Sequence, residues 1–83
     1  MTRGDAFLNV STERDRQDEI WPQTDHPREK WLCILMEEVG EVAEAMNDDD
    51  DAHILVELSH VAAVAIRMME VLDPEEELIV QWK

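Results

Sequence analysis

The chain has 83 residues, with 21 acidic against 7 basic side chains and a formal charge of −14. That excess excludes nucleic acid as a partner, because binding its backbone relies on Lys and Arg neutralising phosphates, and it attracts cations instead. A single cysteine, Cys33, excludes an internal disulfide; no leader-like or membrane-spanning apolar run is visible, so a reducing, cytoplasmic setting away from any membrane is expected.

Residues 1–10, MTRGDAFLNV, show no clear period and are read as an N-terminal arm ahead of a single helical domain over 11–83. STERDRQDEIW offers Ser11 or Thr12 as an N-cap; it is nearly all polar, so Ile20 and Trp21 are expected to anchor it. PQTDHP, residues 22–27, is a turn in which Asp25 or His26 caps a second helix starting at Pro27 and running to about Met46. The acidic NDDDD then caps a third helix over about 51–72, and DPEEE opens a short fourth helix docked by Trp82. No strand alternation or Gly-rich phosphate loop occurs, so the fold class is all-α.

The third helix, AHILVELSHVAAVAIRMMEVL, is apolar almost all the way round. Leu55, Ala62, Ile66 and Met69 fall opposite Val61, Val64 and Met68, as in a helix enclosed on several sides. One subunit of this size cannot enclose it. A helical bundle completed by homo-oligomerisation, as a homodimer or homotetramer, is therefore expected.

The second helix, WLCILMEEVGEVAEAM, places four glutamates on a core-forming segment. With Glu38 as origin, Trp31, Ile34, Leu35, Val42 and Ala45 flank it on the wheel, so Glu38 points inward. Glu41 lies on the edge of that arc, whereas Glu37, Glu44, Lys30 and Cys33 fall on the solvated side. On the third helix Glu57 is likewise flanked by apolar residues, with His53, His60 and Arg67 as a polar stripe beside it. Each helix thus carries an inward carboxylate and a second polar group three residues on, Glu38 with Glu41 and Glu57 with His60. Gathered carboxylates repel one another and raise their own pKa values, and a hard divalent cation such as Mg²⁺ or Mn²⁺ relieves both.

EEVGE over 37–41, followed after 15 intervening residues by Glu57-Leu58-Ser59-His60, resembles the all-α nucleoside triphosphate pyrophosphohydrolases of the MazG type. Their signature is E-x-x-E, a spacer, then E-x-x-D. The likeness spans about residues 13–72 and is strongest to short MazG-like proteins of phages and prophages. It implies a homo-oligomeric bundle in which carboxylates hold Mg²⁺ against a triphosphate. Water then attacks the α–β linkage, giving a nucleoside monophosphate and pyrophosphate. By position, the resemblance makes Glu38, Glu41 and Glu57 metal ligands, and Glu37 a group that orients or activates water alongside Glu38.

The fourth ligand position departs, with His60 in place of Asp. A neutral imidazole brings no negative charge and favours softer ions. Three outcomes follow: a site with fewer carboxylates, a preference for Mn²⁺ or another transition metal, or a catalytically inactive acidic interaction module. Glu-x-x-His with a lone Glu also matches the ligands of dimetal carboxylate bundles, a further alternative that leaves Glu41 without a role. For substrate contacts, Lys30 and Arg67 are the candidate phosphate grips and Trp31, with Trp21, the candidate stacking surface for a base.

Overall fold

The computed structural model describes residues 1–22 and 25–72 and, among them, contains three helices and no strand. They are α1 (Arg3–Ile20), α2 (Arg28–Asn47) and α3 (Asp51–Val71). The proposed fourth helix and Trp82 lie outside the described residues.

Helix α1 begins eight residues earlier than Ser11, so the stretch read as an arm is helical from Arg3 onward. The cause is a capping box at Thr2. Its hydroxyl accepts the Asp5 N–H at 3.1 Å, and the Asp5 carboxylate accepts the Thr2 N–H at 3.0 Å. That backbone hydrogen bond, seconded by the Thr2 hydroxyl, holds the Asp5 carboxyl below its usual range.

The anchor of α1 also differs from expectation. Ile20 and Trp21 are about half exposed, whereas Glu13, Arg14 and Gln17 are buried. Arg14 grips the Glu70 carboxylate of α3 with two bonds of 2.7 Å and reaches Asp18 at 2.6 Å. This polar clamp, chiefly the Glu70 bond, raises the pKa of Arg14. A helix with no apolar stripe is thereby docked by charge-assisted hydrogen bonds.

Pro27 itself takes the N-cap position of α2 with extended backbone, and no side chain caps the helix; neither Asp25 nor His26 does. His26 instead sets its ring edge-on to Trp31, with centroids 5.1 Å apart. The turn into α3 runs through Asp49, at φ 54°, a left-handed conformation that Asp tolerates better than most residues. Asp50 then accepts the His53 N–H at 3.2 Å and starts α3.

Helix α3 lies between its neighbours, packing against both α1 and α2, which do not pack on each other. Among the described residues the buried apolar ones are few: Trp31, Ala45, Ala63 and Val64. On α2, residues flanking Glu38 are buried or half-buried as the wheel requires, but the rest of the apolar arc, Leu32, Met36 and Val39, is exposed. Opposite Val64 on α3, Leu55, Ile66 and Met69 are also exposed, Met69 at 68%. No described helix is long and apolar enough to cross a membrane.

Candidate metal centre and adjoining cavity

The helical hairpin of α2 and α3 brings four predicted ligands together. Glu38, Glu41, Glu57 and His60 each present one ligand atom, and these atoms all lie within 4.8 Å of one another. The i, i+3 spacing on each helix aims both of its groups at the same point. Glu57, only 8% exposed, is the hub. One oxygen meets His53 Nε2 at 3.3 Å and the other His60 Nδ1 at 3.2 Å. Glu38 Oε2 stands 3.6 Å from the same His60 nitrogen.

Two features suit this cluster to a cation. Oε2 of Glu38 is buried and has no hydrogen-bond partner among the described residues, a costly state for a carboxylate oxygen. The hydrogen bond with Glu57, then burial, then the nearby Glu38 charge push the Glu41 carboxyl up to about 7. Carboxylates so crowded hold a proton where a cation would otherwise serve. Three carboxylate oxygens and one imidazole suit Mg²⁺ or Mn²⁺, and the nitrogen favours Mn²⁺.

Helix α1 adds a group that the sequence reading missed. Glu13 turns a carboxylate toward the outer edge of His60, with Oε1 3.6 Å from Nε2. Both its oxygens are fixed from α1 itself, by Arg16 at 2.7 and 3.0 Å and by the Gln17 amide at 3.2 Å. Burial pushes the Glu13 carboxyl up, but the Arg16 bond, the His60 charge and Gln17 outweigh it and hold it below the usual range. No hydrophobic pattern marks this face; the only signal is the helical spacing of Glu13 and Gln17.

Beside the cluster opens a cavity of about 490 Å³, with Glu38 in the wall of both. Lys30, Glu37, Trp21 and Trp31 line it as well. Glu37 and Lys30 are exposed, as the wheel places them, yet both border this cavity. Trp31 is 4% exposed and forms the floor.

Arg67 also lines the cavity, but its guanidinium is committed to the scaffold. It is 3% exposed and donates to the backbone carbonyls of Gln17, at 3.4 Å, and of Trp21. The Gln17 carbonyl also accepts the Trp21 N–H at 2.8 Å, and Trp21 is the C-cap of α1, so Arg67 reinforces the C-terminal end of α1 from α3. The same guanidinium lies 5.4 Å from the Trp31 ring centre, in cation–π contact. Structurally, Arg67 joins all three helices behind the cavity.

The chain matches no protein-family model, no curated protein and no solved structure, and the centre is interpreted from its own geometry.

Proposed function

We propose that the chain is a metal-dependent nucleoside triphosphate pyrophosphohydrolase that works as a homo-oligomer. The observation that carries this reading is the convergence of Glu38, Glu41, Glu57 and His60 beside a cavity walled by Trp31 and Lys30. A cation centre and an aromatic-lined pocket sharing one wall fit a ligand that is polyanionic at one end and flat at the other. When bound, a divalent cation supplies charge stabilisation to the phosphate oxygens.

The protein groups then divide the work. Glu38, Glu41, Glu57 and His60 hold the cation. Lys30, exposed at the cavity rim, neutralises phosphate charge, while Trp31 and Trp21 provide apolar surface for the base. Glu37, bordering the cavity with water at hand, accepts the proton of the water that attacks the α–β linkage. Pyrophosphate departs and the nucleoside monophosphate remains. The dimetal carboxylate reading draws equally on His60 but leaves Glu41 idle, although Glu41 sits within the cluster.

The exposed apolar rows on α2 and α3 support the oligomer. Leu32, Met36, Leu55 and Ile66 are each more than a third exposed, and burying one such side chain contributes about 1.5–3 kcal/mol. The test is pyrophosphate release from a panel of nucleoside triphosphates with Mg²⁺ or Mn²⁺. Release that disappears in Glu38→Gln supports the enzyme. A folded oligomer with no release under any metal leaves the inactive interaction module standing instead.

A further inference from the structure

Resting on the metal-centre reading above, we infer that Glu13 is a positioning residue of that centre. With the cation bound, its carboxylate would accept the Nε2–H of His60 and so fix the tautomer whose Nδ1 lone pair faces Glu38, Glu41 and Glu57. A neutral imidazole carries one N–H and one lone pair, and which nitrogen keeps the proton decides which can ligate. The two edges of the His60 ring face different partners. Nδ1 lies on the cluster side, 3.2 Å from Glu57 and 3.6 Å from Glu38, while Nε2 faces Glu13 at 3.6 Å.

Carboxylates on both edges compete for the single N–H. With a cation among Glu38, Glu41 and Glu57, the Nδ1 lone pair is the useful one, and the proton belongs on Nε2. Glu13 is then the acceptor that receives it, closing the separation by a few tenths of an ångström to hydrogen-bond length. An outer carboxylate of this kind orients a ligating histidine and raises its basicity. Glu13 is fit for that task because it is buried and immobilised by Arg16 and Gln17.

The experiment compares Mn²⁺ affinity, read by electron paramagnetic resonance, in two backgrounds. In the wild type, Glu13→Leu weakens Mn²⁺ binding about 10- to 100-fold. In His60→Asp, which has no imidazole to orient, the same change alters affinity by no more than about twofold. Glu13→Gln, keeping an acceptor oxygen and the shape, recovers most of the loss, and Glu13→Ala takes the place of the leucine variant should that fail to fold. Histidine ¹⁵N spectra of the Zn²⁺-loaded protein show His60 protonated at Nε2. Equal losses in both backgrounds would mean that Glu13 only docks α1, and a proton on Nδ1 would overturn the inference outright. No Mn²⁺ binding by the wild type removes the metal centre itself, a separate failure.

Discussion

Replacing Glu57 by Gln tests the centre without relying on turnover. Glu57 is buried and touches His53, His60 and Glu41's proton at once, so its amide analogue keeps the volume and removes the hub charge. Consider Mn²⁺ at 100 times the wild-type dissociation constant. Binding to the folded state alone then stabilises by about 2.7 kcal/mol. For a chain of 83 residues, each kcal/mol moves the melting temperature about 4–8 °C, so Mn²⁺ raises it by roughly 10–20 °C. Losing one of three carboxylate ligands weakens affinity about 100-fold, which brings the same Mn²⁺ concentration down to the dissociation constant. The stabilisation falls to about 0.4 kcal/mol, or roughly 2–3 °C. Thermal denaturation by circular dichroism, with Mn²⁺ or with EDTA, reads both shifts. A Glu57→Gln protein that retains the full Mn²⁺ shift refutes the assignment.

Three further outcomes follow from the same geometry. Because Glu41 sits at about 7 in the folded protein, against an ordinary value of 4.5, the native state binds more protons than the unfolded chain between those values. Metal-free stability from this group is therefore full below about 4.5 and is lost as pH rises through about 7. A melting-temperature series in EDTA shows that decline, and Glu41→Gln abolishes it; equal slopes in both proteins would disprove the cause. Arg14→Met breaks the clamp on Glu70 and costs about 1–2 kcal/mol, discounted because Glu70 is half in water. Urea unfolding measures this cost, and an unchanged midpoint would show that α1 docks by other means. Met36→Lys is nearly neutral for an isolated subunit, where the side chain is 57% exposed, but places a charge inside the proposed apolar subunit interface. Light scattering should then fall to the 9.7 kDa monomer; a wild type already at that mass would exclude the oligomer.

The α2–α3 hairpin was legible because its periodicity is strong. Wheel positions alone put Trp31, Ile34 and Ala45 beside Glu38 and left Glu37, Glu44 and Cys33 in water, and the burial pattern agrees. The candidate ligand quartet followed from the same wheels. What escaped was α1. Its docking face is Glu13, Arg14 and Gln17, residues whose usual place is the surface, and their burial depends on partners as distant as Glu70. A hydrophobic pattern carries no trace of such ties. Its start was missed as well, since Phe7 and Leu8, behind the capping box of Thr2 and Asp5, stay exposed and form no buried stripe. Arg67 illustrates a different limit. Its place on the polar stripe was read, but only the approach of α1 makes it a donor to the Gln17 and Trp21 carbonyls.

The four candidate ligands span only residues 38 to 60, on two helices joined by a three-residue link between Asn47 and Asp51. Short sequence separation means little loop-closure entropy opposes their meeting, so this hairpin is the natural first piece to assemble from the denatured chain. An ion that favours the assembled quartet then acts on the rate-limiting barrier as well as on the final state. Manganese should accelerate refolding in stopped-flow measurements, with α1 closing over the site as a later event.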